Sequence, residues 1–286
     1  MASVSTKYTL ASRVKLADGR TMPQIQLGLY MMSRTEAQKS VSAALAVGYR
    51  GFDCAQMYHN EREAGTALRE SLASSAGLTR EDIFYTSKLA QNRASYDAVR
   101  ASISKSVSDC GLGYIDLFLL HSPYGGKQAR LTSWRAVEDA IDAGEIRSGG
   151  VSNYGVAHIE ELVAAARIQP VVNQIESHPF NTRTDIRDCC KMHNILIEAY
   201  APLVRGMRMQ DATVLSLSKK YSCSPAQLLV RWSLQHGMVP LPKSVRKDRM
   251  IENADVNGFE LTTEDMSKLD SLDEHLVTDW DPTDTE

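Results

Sequence analysis

Short apolar runs alternate with longer stretches of helical periodicity along nearly the whole chain. Eight of these runs are predicted strands, over residues 25–27, 50–53, 84–88, 115–120, 148–151, 171–176, 196–199 and 238–241. Between two of them, Val99, Ile103 and Val107 recur at helical spacing before Gly111, which is a typical helix end. Strand–helix repetition favours a parallel sheet covered by helices, and eight units without a linker favour a closed (β/α)8 barrel.

The chain length agrees with one barrel. It has 286 residues, and barrels of this class commonly need about 250 as a single unit. We therefore predict one domain over residues 1–286. Near its start, residues 13–16 and 21–22 flank the turn signal Asp18-Gly19, which predicts a β-hairpin. We expect a (β/α)8 TIM barrel whose N-terminal hairpin closes the barrel bottom.

Charge and cysteine content exclude several classes of function. A net charge of -3 gives no reason to expect nucleic acid or a membrane as partner. Residues 1–10 lack the apolar core of a signal peptide, and no stretch is long enough to span a bilayer. The cysteines are odd in number, form no Cys-x-x-Cys pair and are expected to be reduced thiols: Cys54, Cys110, Cys189, Cys190 and Cys223. These observations predict a soluble, cytoplasmic protein, and no ligand spacing predicts a metal site.

Polar residues follow many of the predicted strands. In a parallel barrel, chemistry belongs at the carboxyl ends of the strands. The residues there are Asp53, Lys88, His121, Ser152, Asn153, Gln174, Glu176, Tyr200 and Lys243. Each has an ordinary structural explanation when taken singly: an aspartate can cap a helix, a lysine can extend to solvent, and a histidine can be satisfied in a core. The ordered set at successive strand ends is harder to explain in that way.

Asp53, Tyr58, Lys88 and His121 make chemical sense together for carbonyl reduction. A hydride that reaches a carbonyl carbon leaves negative charge on oxygen, which needs a proton and hydrogen-bond donors. A tyrosine hydroxyl, with an ordinary pKa of about 10, holds its proton at neutral pH, and a neighbouring ammonium favours the phenolate. A carboxylate beside the lysine limits the cost of burying it. A nearby histidine can orient the carbonyl oxygen as a neutral donor.

These residues also lie in segments that resemble the aldo-keto reductase family. The matching segments are residues 51–61, 86–89, 117–123, 150–154, 173–176, 199–203 and 242–245, followed by Arg249, Glu252 and Asn253. They occur in family order and cover roughly residues 10 to 275. The resemblance implies a barrel that binds NADPH in an extended pose without a Rossmann domain.

The resemblance implies a role for each matched residue. Tyr58 would be the proton donor, tuned by Asp53 and Lys88, and His121 would orient the substrate carbonyl. Tyr30 and His121 would contact substrate. The implied cofactor residues are Ser152, Asn153 and Gln174 at the nicotinamide carboxamide, Tyr200 stacked on the ring, Lys243, Ser244, Val245 and Arg249 around the 2′-phosphate, and Glu252 and Asn253 at the adenine. Pro202 and Leu203 are further implied cofactor contacts.

Elementary electrostatics supports the implied phosphate site, since an Arg fork and a Lys charge near a helix start suit a phosphate dianion. NADPH is therefore expected over NADH, with use of both left open. The predicted activity is the reversible reduction of a small aldehyde or ketone to an alcohol by a monomer. The alternative is a cofactor-binding regulatory subunit of the same fold with little turnover.

Two aspects of the substrate site stay open. Tyr30 and Ser122 stand where many family members carry tryptophan, which leaves the substrate undetermined. Trp280 is the one large aromatic residue near the end of the sequence. It is expected either to line the substrate mouth or to pin the C-terminal segment to the barrel.

Overall fold

The computed structural model describes residues 7–75 and 77–286. Residues 1–6 and Ala76, which the single-domain prediction includes, lie outside the described residues. The strands are β1 (Arg13–Lys15), β2 (Thr21–Pro23), β3 (Leu27–Gly28), β4 (Gly51–Asp53), β5 (Phe84–Leu89), β6 (Ile115–Leu120), β7 (Ile146–Ser152), β8 (Val172–Glu176), β9 (Leu196–Tyr200) and β10 (Val239–Pro240). The last eight of these correspond to the eight predicted strands: β6 has the predicted bounds, and the ends of the others differ from the prediction by at most two residues.

Strands β3 to β10 form one parallel sheet in which each strand pairs with its neighbours in the sequence. The sheet curls until its first and last strands meet. Gln26 N donates to Pro240 O at 3.4 Å, and Gly28 N donates to Pro242 O at 3.2 Å. The predicted (β/α)8 barrel is confirmed.

Helices connect the strands and cover the outside of the sheet. They are α1 (Arg34–Val47), α2 (Glu61–Ser74), α3 (Tyr96–Cys110), α4 (Gly126–Asp142), α5 (Val156–Ala165), α6 (Thr184–Met192), α7 (Ala212–Tyr221), α8 (Pro225–Gln235), α9 (Lys247–Ala254) and α10 (Thr263–Asp270). Helix α3 ends at Gly111, whose φ of 65° is the left-handed conformation that favours glycine. Helix α8 begins with a capping box between Ser224 and Gln227. Within the described chain, no helix is long and apolar enough to cross a bilayer.

The antiparallel hairpin of β1 and β2 packs on the bottom of the barrel. Its buried side chains Leu16 and Met22 belong to the same apolar cluster as Phe84 and Val172, the first residues of β5 and β8. Asp18 in the hairpin turn accepts a hydrogen bond of 2.6 Å from Ser148 Oγ. The predicted hairpin is therefore present and covers the amino ends of the strands, which leaves the carboxyl ends for a site.

Candidate active site

A cavity of about 860 Å³ opens at the carboxyl ends of the barrel strands. Residues from the loops after several strands line it, together with the C-terminal segment. The predicted site residues that line it are Tyr30, Asp53, Tyr58, His121, Ser152, Asn153, Gln174, Tyr200, Pro202, Leu203, Lys243, Ser244, Arg249, Glu252 and Asn253. The structure thus gathers residues that are more than 200 positions apart in the sequence into one cavity.

A buried ion pair lies at the inner end of this cavity. Asp53 is the last residue of β4, and Lys88 lies on the neighbouring strand β5. Lys88 has no exposed surface. Lys88 Nζ lies 2.7 and 2.8 Å from the two carboxylate oxygens of Asp53 and 2.9 Å from Cys54 O. It also donates to Tyr58 Oη at 3.1 Å. Four oxygen atoms therefore surround an ammonium that has no access to water.

Tyr58 is held in place by a short 3-10 turn, Gln56–Tyr58, after β4. The Gln56 side chain anchors this turn to α3 and to the residue after β5: Nε2 donates to Ser106 Oγ at 2.9 Å, and Oε1 accepts from Ala90 N at 2.9 Å. Burial and the nearby Asp53 charge raise the pKa of Tyr58 well above 10. A neighbouring ammonium such as that of Lys88 favours the phenolate, but the net shift is upward because of burial and the carboxylate, so the hydroxyl is protonated at neutral pH.

His121 follows β6 and faces Tyr58, with the two ring centroids 5.8 Å apart. Burial, and then the charge of Lys88, lowers the pKa of His121 to about 3. Its Nδ1 atom is buried and has no hydrogen-bond partner among the described residues. The imidazole is therefore neutral across the physiological pH range.

A hydrogen-bond network joins the residues at the ends of β7, β8 and β9. Asn153 has a left-handed backbone with φ of 60°, and its Nδ2 donates to His121 O at 3.0 Å. Tyr200 Oη donates to Asn153 Oδ1 at 2.9 Å. Ser152 Oγ donates to Gln174 O at 2.8 Å. These contacts fix the side chains that form the cavity floor next to the Lys88–Asp53 pair.

The far end of the cavity is basic and lies beside α9. Lys243, Ser244 and Arg249 line it, and no carboxylate of the described chain forms an ion pair with Lys243 or Arg249. Arg246, by contrast, pairs with Asp248. Val245, for which the resemblance implied a place beside them at the 2′-phosphate, has an exposed side chain and does not line the cavity.

One side of the cavity mouth was not predicted from the sequence. Asp279 forms an ion pair of 2.8 Å with Arg205, and the Arg205 guanidinium lies 5.5 Å from the centre of the Tyr30 ring. Met31 and Met57 add apolar surface. The ion pair between Arg205 and Asp279 depends on how the C-terminal residues fold back over the barrel, and no local sequence pattern encodes that path.

The contacts of Trp280 show which of its two expected roles it has. Its ring lies 6.1 Å from that of His121 and 5.6 Å from that of Tyr124, and it lines the cavity. Trp280 is therefore part of the mouth of the cavity.

A model of the family described as "Aldo/keto reductase family" matches residues 24–274. The chain belongs to the aldo/keto reductase family. Members of this family act on small carbonyl substrates, and the chain is an NAD(P)H-dependent oxidoreductase.

Individual relatives span nearly the whole chain. An uncharacterized oxidoreductase of Schizosaccharomyces pombe is 47% identical, over 96% of this chain and 98% of its own length. A glyoxal reductase of Bacillus subtilis is 42% identical, over 92% and 94% of the two chains. The crystal structure of an aldo-keto reductase of Bombyx mori in complex with NADP matches at a TM-score of 0.87 and 33% identity, and covers 94% of each chain. These likenesses support the use of a nicotinamide cofactor.

Proposed function

We propose that this chain catalyses the reversible, NADPH-dependent reduction of an aldehyde or ketone to an alcohol, with Tyr58 as the proton donor. The observation that carries the proposal is the position of the Tyr58 hydroxyl, which faces the cavity and accepts a hydrogen bond of 3.1 Å from Lys88 Nζ. When bound, NADPH supplies the hydride. The residues of the chain then have to bind the carbonyl, supply the proton and hold the cofactor.

The proton donor role follows from the hydrogen bonds of Tyr58. Lys88 occupies a lone pair of the Tyr58 oxygen, and no described group accepts the hydroxyl hydrogen. That hydrogen is free to point at a carbonyl oxygen in the cavity. As the proton leaves, the Lys88 ammonium stabilises the negative charge that develops on the phenol oxygen. Asp53 keeps Lys88 charged in its buried position.

His121 supplies a second donor to the same carbonyl oxygen. A proton on Nδ1 would have no acceptor, because no described group lies within hydrogen-bond distance of that atom. This favours the neutral tautomer with its proton on Nε2. His121 can therefore orient the carbonyl without adding charge to the site.

The residues around the cavity fit the proposed cofactor. Ser152, Asn153 and Gln174 offer amide and hydroxyl groups for the carboxamide, and the Tyr200 ring offers a face on which the nicotinamide can stack. Pro202 and Leu203 also line the cavity, and so do Glu252 and Asn253, which we assign to the adenine.

The basic end of the cavity supports a preference for NADPH over NADH. Arg249 and Lys243 are cations without an ion-pair partner in the part of the chain that the structure describes. Together with Ser244 they suit a phosphate dianion.

Steady-state oxidation of NADPH tests the proposal. The substrate panel should contain aromatic aldehydes, sugars, steroids, keto esters, quinones and, because a relative is a glyoxal reductase, glyoxal. We expect turnover of at least one carbonyl, with a matching amount of alcohol formed. Tight NADPH binding with no turnover of any member would favour the alternative, a regulatory subunit that binds cofactor.

We further propose that the protein acts as a single-domain monomer over residues 1–286 in a reducing compartment such as the cytoplasm. This chain supplies every residue assigned a role above, and its five cysteines are free. Light scattering coupled to size exclusion checks the oligomeric state, and a dimer would contradict this proposal.

A further inference from the structure

A second buried carboxylate lies below the Lys88–Asp53 pair, inside the barrel. Glu198 is in the middle of β9 and has no exposed surface. Its two oxygens contact two amide groups: Gln26 Nε2 donates to Oε1 at 3.0 Å, and Gln174 Nε2 donates to Oε2 at 2.8 Å. Burying a carboxylate costs free energy unless hydrogen bonds compensate for the lost contact with water. Nothing in the proposed mechanism uses this residue.

The amide of Gln174 is fixed from two sides. Its Nε2 donates to Asp53 Oδ1 at 2.9 Å as well as to Glu198. An amide nitrogen has two hydrogens, so both are used. Oxygens of ionised carboxylates only accept hydrogen bonds, so Gln174 can satisfy both neighbours only with its nitrogen toward them. Its carbonyl oxygen, to which no described group donates, is left for the cavity that Gln174 lines.

We propose that Glu198 is a positioning residue for the cofactor: with Asp53, it fixes the Gln174 amide so that the carbonyl oxygen accepts the N–H of the nicotinamide carboxamide. This inference rests on the proposed function, in which Gln174 binds that group. It adds a residue in the barrel interior, without contact to cofactor or substrate, that controls which way the nicotinamide ring is presented.

Gln26 allows Glu198 to accept the hydrogen bond from Gln174 whether Glu198 is ionised or protonated. Burial and the charge of Asp53 raise the pKa of Glu198 to about 8. An acid protonated on Oε1 needs an acceptor, and Gln26 Oε1 is buried without a partner among the described residues. Rotation of the Gln26 amide by 180° turns that oxygen toward Glu198. In both states Glu198 Oε2 still accepts from Gln174.

Two substitutions separate this role from simple packing. Glu198→Leu fills a similar volume but removes the acceptor, which leaves one N–H of Gln174 unpaired and its amide held only by Asp53. Glu198→Gln keeps an acceptor for Gln174 and offers its own amide hydrogen to Gln26 Oε1. We expect Glu198→Leu to weaken NADPH binding about tenfold, because one positioned hydrogen bond is lost, and Glu198→Gln to stay within about threefold of wild type.

The first measurement is the NADPH dissociation constant from quenching of protein fluorescence. The second is the face of hydride transfer, determined with NADPH deuterated at one or the other C4 position. Glu198→Leu should lose part of its preference for one face, which a merely structural role would not change. Glu138→Leu is the control: Glu138 is also buried and accepts from two backbone N–H groups, but it lies on α4 and away from the cavity. It should lower the melting temperature and leave NADPH affinity unchanged.

Equal NADPH affinity in wild type and Glu198→Leu would overturn the inference, and so would equal losses in the Leu and Gln variants. The binding measurement needs no turnover. A wild-type protein that binds NADPH but reduces no carbonyl would therefore refute the proposed function while the role of Glu198 is still tested.

Discussion

Lys88 has no exposed surface, and its ammonium contacts Asp53, Cys54 and Tyr58 within 3.1 Å. Asp53 contributes most to stabilising this buried ammonium, because burying a charge without a partner of opposite sign costs free energy. Removing one partner of such a pair typically costs about 3–5 kcal/mol. The ion pair is therefore a structural element of the barrel as well as part of the site, and variants of Asp53 will combine effects on stability and on rate.

The phosphate assignment predicts a selective effect of Arg249→Ala. Loss of the guanidinium removes charge-assisted hydrogen bonds to the 2′-phosphate, which NADH lacks. We expect the KM for NADPH to rise about 10- to 100-fold and the KM for NADH to change less than about threefold. Lys247→Ala is the control, because Lys247 begins α9 but does not line the cavity. Equal changes for both cofactors would contradict the assignment.

The raised pKa of Glu198 predicts a stability effect that depends on pH. In the unfolded chain this carboxyl ionises near pH 4.3, and in the folded chain only near 8. Between these values the unfolded state binds fewer protons, so this group lowers the free energy of unfolding as pH rises through the window.

Glu198→Gln removes this ionisation. Its stability relative to wild type should therefore increase from pH 5 to pH 8 by more than about 1 kcal/mol, since each pKa unit corresponds to about 1.4 kcal/mol. Urea unfolding at the two pH values measures the difference. A constant difference would mean that Glu198 ionises in the folded protein as readily as in the unfolded chain.

The elements of the fold differ in how far the sequence predicts them. Strands in the middle of the parallel barrel are buried on both faces, so they stand out as continuous apolar runs, and β6 has the predicted bounds. The first and last barrel strands, β3 and β10, have only two residues each and are the least well bounded. Side chains at strand ends were predictable because strand order determines where they meet.

The loops could not be predicted in the same way. The run after β9 contains Ala201, Val204 and Arg205 with positive φ, a conformation that side-chain sterics disfavour and that only surrounding contacts maintain. The ion pair between Arg205 and Asp279 joins residues that are far apart in the sequence. Glu198 was also missed, because a glutamate within an apolar run gives no indication of the amides that it will face.

The position of the hairpin predicts that a substitution there can lower the stability of the fold without changing NADPH binding. Met22 is fully buried against the bottom of the barrel, so Met22→Ala should lower the free energy of unfolding by about 2–5 kcal/mol. NADPH affinity should not change, because the cavity lies at the opposite end of the strands. Lys15→Ala, on the exposed side of β1, should stay within about 0.5 kcal/mol of wild type. A parallel loss of NADPH affinity in Met22→Ala would show that the two ends are coupled.

Loops from most of the barrel and the C-terminal segment together line the cavity. A ligand that binds there stabilises the folded chain by mass action, by about 2.7 kcal/mol at a hundred times its dissociation constant. Melting temperatures should therefore rise more with NADPH than with NADH at equal concentration. A larger shift with NADH would contradict the preference for the phosphorylated cofactor.

The most direct test of the proposed mechanism is the rate of NADPH-dependent carbonyl reduction by Tyr58→Phe. The substitution removes one hydroxyl and retains the ring, so NADPH affinity should stay within about threefold of wild type. Tyr114→Phe, far from the cavity, is the matched control. Loss of the proton donor should lower kcat by about 10² to 10⁴. A kcat close to that of wild type would show that the proton comes from another group and that the mechanism proposed for this site is wrong.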